Sequence, residues 1–447
     1  METENKLGVM PVSQLVLSMT VPIMISMLAQ SMYNIVDSIF VSRISEDALT
    51  AASLAYSAQM LQIAVAVGTG VGTNALVSRR MGAGDRDGAN EAATTGLVLT
   101  VLSSLLFVLW GLFGSRAFIG LFTDEPAILD SGTSYLRICQ LFATGIFLGT
   151  FFQRILQSVG RTMSSMCAQL ARALTNLILD PILIFGLLGC PELGIAGAAI
   201  ATVIGQWVAA FMGLALLIAA RREIRFVFRG FRMRRDNVKY IYKVGFPTIL
   251  TQAFGSIMVA LMNKTLFLFS STAVAFFGVY FKLQSFLFMP LNGMGQGSLP
   301  VVSYNLGARR TDRIRECVRV TVRNALVLAA VATSVFLLLP ETLLDAFAAS
   351  DEMKAIGIPA LRIICLTFPL TAVTMMCGYT ISGLGSGMVN MISTALRQCV
   401  VLLPCVLLLG WLSGIRVIWF AFWVSEAAAL AFALYQLRRR MAALPEG

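Results

Sequence analysis

Residues 77–83 read VSRRMGA, and residues 302–308 read VSYNLGA. The two stretches lie 225 residues apart, and the same offset aligns residues 22–196 with residues 247–421 without a gap. The other matched pairs include Pro22 with Pro247, Gly68 with Gly293, Gly72 with Gly297, Leu136-Arg137-Ile138 with Leu361-Arg362-Ile363, and Gly160 with Gly385. A repeat of this length predicts two homologous halves.

The composition places both halves in a membrane. Hydrophobic residues make up 57% of the 447 residues and charged residues only 13%, whereas soluble domains are about 25% charged. Since no stretch of thirty residues is polar enough to form a soluble domain, the whole chain is predicted to be the membrane domain.

A bilayer core of about 30 Å needs about 20 apolar residues per helix, which predicts about twelve spans. The first six lie near 15–40, 50–76, 93–114, 134–156, 163–187 and 194–219; the second six lie near 243–268, 273–298, 320–340, 357–381, 389–410 and 415–437. Six spans per half is an even number, so the halves insert in the same direction as a parallel repeat. The predicted fold is an all-α integral membrane protein with two six-helix bundles, residues 1–219 and 243–447, joined by a linker at 220–242.

The distribution of basic residues predicts the orientation. The side that holds the termini and the central linker carries 22 Lys and Arg residues, and the other side carries four, namely Arg43, Arg116, Lys354 and Arg416. Both termini are therefore predicted to be cytoplasmic, in the cell membrane, and the first apolar run is predicted to be a retained span. The same bias explains the net charge of +11, so nucleic acid is not an expected partner. The linker interleaves basic and aromatic residues, which predicts contact with anionic membrane lipids.

Three acidic residues lie well inside predicted spans: Asp37, Asp180 and Glu426. An ionisable group is costly at such a position, so each needs a reason. On the first span, four polar side chains share one helical face, at the spacing i, i+3, i+4 and i+7: Gln30, Tyr33, Asn34 and Asp37. On the fifth span, Asp180 follows Asn176 by one turn and Arg172 by two. Both spans run outward from the cytoplasm, so the two aspartates are predicted to lie at similar depth.

Two carboxylates in one low-dielectric cavity cannot both ionise without a large cost, and a proton or a cation relieves it. We therefore predict an ion-coupling site at Asp37 and Asp180, with H⁺ or Na⁺ as the coupling ion and no other cofactor. Asp37, Asn176 and Asp180 are the candidate Na⁺ ligands, with Tyr33 beside them. The simpler alternative is that each aspartate only satisfies a neighbouring polar group.

Other residues are candidates for the cavity wall or for hinges. Gln30, Asn34, Lys282, Met258 and Met262 are predicted to line a substrate cavity, where methionine offers an adaptable surface. Pro22 and Pro181 each remove a helical hydrogen bond and are the predicted hinges. Glu426, on the last span, is predicted to pack against small residues, and Lys264 to reach the membrane surface.

The sequence also excludes several functions. It contains no histidine, and its eight cysteines form no C-x-x-C pair, which removes His-based metal sites and proton relays. It has no phosphate-binding loop of the G-x-x-x-x-G-K-[ST] type. An enzyme or a receptor without transport is the alternative from another class, but no paired catalytic groups appear, so the chain is predicted not to be an enzyme.

Five stretches together resemble the multidrug and toxic compound extrusion (MATE) family: 33–43 (YNIVDSIFVSR), 79–84 (RRMGAG), 176–186 (NLILDPILIFG), 194–199 (GIAGAA) and 300–308 (PVVSYNLGA). The resemblance covers nearly the whole chain. It implies two bundles arranged in a V around a central cavity, the exchange of organic cations for H⁺ or Na⁺, and a protein that acts as a monomer.

The resemblance also implies site residues. In the DinF-like branch, the coupling acids match Asp37 and Asp180, with Asn176, Tyr33 and a hydroxyl of the sixth span, for which Thr202 is the candidate. The NorM-like branch has further acids on the first and fourth spans of the second bundle, and this sequence has none there. The expected function is an ion-coupled antiporter for lipophilic organic cations, and the alternative is a flippase for a lipid-linked precursor, for which Lys282 and Arg397 would supply positive charge.

Overall fold

The computed structural model describes residues 5–347, 349–415 and 417–444, and within these ranges it contains helices but no strands. Arg416, which was counted in the orientation argument, lies outside the described residues. The first half has six spans: α1 (Val12–Ser42), α2 (Glu46–Gly82), α3 (Arg86–Phe113), α4 (Pro126–Leu141 and Thr144–Ser158), α5 (Thr162–Phe185) and α6 (Gly194–Ala219).

The second half repeats this order. Its spans are α7 (Arg235–Phe267), α8 (Ser271–Gly307), α9 (Thr311–Leu338), α10 (Asp351–Cys365 and Phe368–Gly383), α11 (Gly387–Ala395, a π-helical turn at Leu396–Val400, and Leu402–Ser413) and α12 (Ala421–Ala442). In the described part of the chain, ten helices are long and apolar enough to cross a membrane, and two bent pairs complete twelve spans. The prediction of about twelve spans is confirmed.

The two bent spans occupy matching places in the repeat. Both α4 and α10 bend by 48°, where the sequence predicted one span near 134–156 and one near 357–381, without a bend in either. Backbone conformations match as well: Gly160 and Gly385 have φ angles of +88° and +84°, and Gly84 and its counterpart Arg309 have φ angles of +76° and +56°. The repeat therefore preserves positions where the chain must turn, even where the residue type differs.

The halves meet where α1 packs against α8 and α2 packs against α7. The glycines of the repeat make these crossings close. A Cβ atom on Gly68 of α2 would lie 2.7 Å from the carbonyl oxygen of Gly245, and one on Gly297 of α8 would lie 2.7 Å from that of Met19. Small residues four apart allow such close backbone approach between membrane helices. These crossings lie near the ends of the spans that adjoin the linker and the N-terminus.

The linker is shorter than predicted and is bound to the first bundle. Helix α7 begins at Arg235 and not at residue 243, because its first two turns are charged and were not recognised by an apolar window. The remaining linker packs on α3: the backbone N–H of Arg225 donates to Asn90 Oδ1 at 2.8 Å, and that of Val227 donates to Thr94 Oγ1 at 2.9 Å. Phe228 stays exposed, as a residue facing lipid or water would be.

Candidate ion-coupling site

The polar faces of α1 and α5 pack against each other, as two parallel helices with matched polar stripes can. Gln169 Nε2 donates to Gln30 Oε1 at 2.7 Å. One turn further along both helices, the guanidinium carbon of Arg172 lies 5.9 Å from the ring centroid of Tyr33, a cation–π geometry. Two of the predicted residues, Gln30 and Tyr33, are therefore engaged with α5 and do not project freely into a cavity.

The third contact between the stripes joins the two aspartates. The carboxyl groups of Asp37 and Asp180 lie within electrostatic range of each other, and Asp180 is almost completely buried. Carboxylates only accept hydrogen bonds, so a bond between them requires a proton on one. Asp37 Oδ1 is buried and receives no hydrogen bond from the described residues. The structure thus brings together the two acids that the sequence placed at similar depth.

Asn176 connects the acid pair to α6. Its Nδ2 atom donates to Asp180 Oδ1 at 3.1 Å and lies 3.4 Å from Thr202 Oγ1. The Asn176 amide nitrogen thus faces both Asp180 and the Thr202 hydroxyl, and with Asp37 these side chains bring a set of oxygen atoms together. Hard cations prefer oxygen ligands, and a proton needs only the carboxyl pair, so the set is chemically suited to either ion.

Sequence reasoning missed a neighbour of the site on α4. The nearly buried Tyr135 lies within electrostatic range of both Asp37 and Asp180, with Gln59 of α2 nearby. Gln59 has the polar neighbours Tyr56 and Gln62 at a spacing of three residues, but without a charge among them they did not mark a site. A tyrosine followed four residues later by a buried cysteine, Cys139, would be read as ordinary packing.

The predicted hinge in α1 has its broken hydrogen bond repaired by α5. Pro22 lies inside the continuous helix α1 and removes the bond to the carbonyl of Ser18, as proline does in a helix. The Thr162 hydroxyl donates to that carbonyl at 2.8 Å. Pro181 lies inside α5 directly after Asp180. Both prolines are thus placed where α1 and α5 meet, on opposite sides of the polar contacts.

The remaining candidates are scattered. Asn34 is half-buried on α1, while Lys282 is exposed on α8. Met258 lines a pocket inside the second bundle. Met262 is fully buried in the core of that bundle, which places it in helix packing and not on the wall of a cavity.

Glu426 is not simply packed among small residues, as the sequence suggested. Its Oε1 atom lies 3.9 Å from Nε of Arg397 on α11, and both side chains are about nine-tenths buried. Both residues were noted individually in the sequence, but no pattern there indicates that α11 and α12 bring them together. The second bundle therefore contains an ionic pair of its own.

The fold and the site define a class: a multi-pass membrane protein of two repeated bundles, with a buried acid pair in the first. The family model MatE matches residues 22–182 and 247–408, so both matches begin at the prolines related by the repeat. The chain belongs to this family of membrane transporters, as the sequence predicted; the assignment to the DinF-like branch stays a prediction.

Relatives with established names match over almost the whole chain. Multidrug export protein MepA of Staphylococcus haemolyticus is 23% identical over 94% of this chain and 93% of its own. The FAD transporter of Shewanella oneidensis is 25% identical over 96% of this chain and 95% of its own. A solved structure described as the outward-facing conformation of a multidrug resistance MATE family transporter of the MOP superfamily is 24% identical, covers 99% of this chain and 98% of its own, and has a TM-score of 0.93. These matches confirm the predicted fold.

Proposed function

We propose that the protein is an ion-coupled antiporter that exports lipophilic organic cations across the cell membrane by alternating access. The observation that carries the proposal is the proximity of Asp37 and Asp180, two acidic side chains in an apolar bundle, together with the buried Asp37 Oδ1 atom, which has no hydrogen bond from the described residues. Buried acids of this kind mark ion pathways in membrane proteins.

The coupling ion is H⁺ or Na⁺, bound between the two carboxyl groups. A proton would bridge them directly. Na⁺ would take oxygen atoms from Asp37, Asn176 and Asp180, with the Thr202 hydroxyl close enough to add another. Either ion removes the repulsion between two negative charges at close range, so its binding changes the energy of the contact between α1 and α5.

That contact is the mechanical link in the proposal. Ion binding and release at Asp37 would change how tightly α1 is held to α5. The contacts of Gln30 and Tyr33 with α5, one to two turns before Asp37 on α1, would respond to that change. Pro22 gives α1 a point at which it can bend, because the Ser18 carbonyl is held by a side chain of α5 and not by the helix itself. Pro181 places a second weak point beside the ion site.

Orientation and assembly complete the proposal. The excess of basic residues beside the termini and the linker supports cytoplasmic termini, with the protein acting as a monomer in contact with membrane lipids through the basic linker. Substrate would enter between the bundles, beside Asn34 and the half-buried part of the α1 stripe. The name of the similar MepA proteins supports multidrug export.

The flippase alternative has weaker support. An anionic headgroup needs uncompensated positive charge, but Arg397 lies beside Glu426. The similarity to an FAD transporter supports an anionic substrate more directly, because it covers the chain as fully as the similarity to MepA does. A planar anionic substrate therefore belongs in the experiment that tests the function.

The test uses purified protein in liposomes, with proton and sodium gradients imposed separately. We expect efflux of a lipophilic cationic dye under one of the two gradients, and its loss in Asp37→Asn and Asp180→Asn. Asp130→Asn is the matched control, because Asp130 pairs with Arg116 at an exposed position at 2.8 Å. Full efflux in Asp37→Asn would overturn the mechanism, and efflux of FAD without efflux of the dye would overturn the substrate class.

A further inference from the structure

A largely apolar pocket with an ionic pair in its wall lies inside the second bundle, between α7, α8, α10, α11 and α12. Its volume is about 220 Å³. Aromatic rings form much of its wall, including Tyr280, Phe281, Phe288 and Phe422, and Arg397 and Glu426 are also part of its lining. Pockets for drug-sized ligands measure roughly 300–1,000 Å³, so this one suits a smaller solute with one or two rings.

The ionic pair in this pocket is incompletely satisfied. Arg397 Nε and Glu426 Oε1 are 3.9 Å apart, and the two side chains are only 10% and 8% exposed. Arg397 Nη1 and Glu426 Oε2 are both buried and have no hydrogen-bond partner in the described part of the protein. Buried charges normally make further hydrogen bonds, because leaving them unmade is costly. One donor and one acceptor are therefore unpaired at the pocket wall, and a ligand would pair with them once the two side chains turn toward the pocket.

The backbone presents the arginine to the pocket. Arg397 lies in the π-helical turn Leu396–Val400 of α11, and such turns often occur at functional sites. Its guanidinium carbon lies 5.7 Å from the ring centroid of Phe288. The repeat counterpart of Arg397 is Arg172, which stacks over Tyr33 beside the ion site. Both bundles thus have an arginine over an aromatic ring. In the first bundle the nearby acids lie on α1 and α5, whereas in the second bundle the nearby acid, Glu426, lies on α12.

We propose that this pocket binds a small planar aromatic zwitterion, whose carboxylate pairs with Arg397 and whose ammonium pairs with Glu426. The ionic pair is neutral overall, so a ligand with one charge would leave one side chain opposed by a like charge. An α-amino acid places its two charged groups close together, as the paired side chains require. The aromatic ring of the ligand would lie among the rings of the wall.

The site is separate from the acid pair of the first bundle, and binding there needs no ion gradient. The proposal concerns binding alone. If the bound solute is also exported, that additional step rests on the proposed function. The two ideas can therefore fail independently. A binding assay on the purified full-length protein addresses the pocket, and the efflux assay addresses transport.

Three probes share an indole ring and differ in charge: tryptophan is zwitterionic, tryptamine is a cation and indole-3-propionate is an anion. We expect wild-type protein to bind tryptophan about tenfold more tightly than either of the others in equilibrium dialysis, the effect of one charged hydrogen bond. Equal affinity for the three probes, or no binding of any, would overturn the proposal and leave water as the occupant.

Removing one charge should reverse the preference. Arg397→Gln should favour tryptamine, and Glu426→Gln should favour indole-3-propionate, a change that a purely structural pair would not produce. Arg323→Gln, at an exposed position on α9, should keep the wild-type preference. If both charge variants fail to fold, Phe288→Leu keeps both charges and should weaken all three probes; unchanged binding in that variant would contradict the assigned pocket.

Asp37→Asn separates the two proposals. It should lose cation efflux while retaining the wild-type preference for tryptophan. Loss of that preference in Asp37→Asn would contradict an independent second site, because Asp37 lies in the other bundle.

Discussion

Arg154 and Tyr379 occupy the same position in the two halves, 225 residues apart, and both bond to polar side chains of α8. Arg154 Nη1 donates to Gln296 Oε1 at 2.7 Å. Tyr379 donates its hydroxyl hydrogen to Asn292 Oδ1 at 2.9 Å, one turn before Gln296. The arms of α4 and α10 that follow the bends are therefore joined to the same helix through two polar side chains one turn apart, at the contact between the bundles.

Removing Gln296 should destabilise the protein. Arg154 is only 5% exposed, and in Gln296→Leu it would keep Gln157 as its hydrogen-bond partner at 3.1 Å but lose the shorter bond. Hydrogen bonds to charged groups are worth about 1.5–3 kcal/mol, and the expected result is a lower unfolding temperature of the purified protein. Gln252→Leu, at an exposed position on α7, is the control. Equal unfolding temperatures for the two variants would contradict this account.

Adding a methyl group at the close helix crossings should weaken the contact between the bundles. In Gly72→Ala the new Cβ would collide with the carbonyl oxygen of Ile241, which forces α2 and α7 apart. Overpacking of this kind costs about 1–3 kcal/mol, measurable as a lower unfolding temperature.

The control for this change is Gly278→Ala on α8, where a Cβ meets no atom within 4 Å. Alanine is a better helix former than glycine, so Gly278→Ala should be neutral or stabilising. A loss of stability in Gly278→Ala as large as that in Gly72→Ala would show that the close approach is not the cause.

The glycines show what the sequence could and could not predict. The repeat singled out Gly72 and Gly297 because they match, but it did not reveal that one contacts α7 and the other α1. Helical spacing likewise predicted Asp37 and Asp180 on polar faces at similar depth, and the structure places the two side chains near each other. Periodicity describes one helix at a time, and it cannot state which helices meet.

Glu426 and Arg397 illustrate the same limit. Arg397 ends a polar stripe of its span, after Asn390, Ser393 and Thr394 at the spacing i, i+3, i+4 and i+7, whereas Glu426 has only Ser425 beside it. Their proximity depends on how α11 and α12 pack and on the π-helical turn that reorients Arg397, and no local pattern in the sequence predicts that turn. The bends in α4 and α10 were missed for a related reason, since both arms of each span are apolar.

Asn176 should matter for ion coupling more than its size suggests. Among the described side chains, Asn176 is the one whose amide donates a hydrogen bond to Asp180, at 3.1 Å. Residues that orient an ion ligand typically change affinity or activity by about 10–100-fold when removed, and Asn176→Ala is expected to reduce gradient-driven efflux by such a factor. The measurement is efflux from liposomes over a range of ion concentrations.

Thr175→Ala is the matched control, because Thr175 adjoins Asn176 on α5 but points in another direction around the helix. It should transport as the wild type does. If Asn176→Ala transports normally at every ion concentration, Asn176 has no part in the site, and the candidate ion ligands reduce to the two carboxyl groups.

A pH effect on stability is expected outside the membrane, at the start of α3. Asp85 caps this helix: its Oδ1 atom accepts from the backbone N–H of Gly88 at 2.8 Å, and its Oδ2 atom pairs with Arg80 at 2.6 Å. The hydrogen bond from Gly88 and the guanidinium of Arg80 hold the pKa of Asp85 below its usual range. Asp85→Asn keeps a capping oxygen but loses the charge.

A carboxyl group whose pKa is lowered by folding stabilises the folded protein above its unfolded pKa of about 3.9, and this contribution is lost as the pH falls through the lower, folded value. At pH 7 wild-type protein should therefore be more stable than Asp85→Asn, by up to about 1 kcal/mol for a pair this exposed. The difference should shrink below pH 4. Asp124→Asn, in an exposed loop, should show no such trend. Unfolding temperatures measured between pH 7 and pH 3 test this, and a difference between wild type and Asp85→Asn that stays constant with pH would mean that the Asp85 charge does not stabilise the fold.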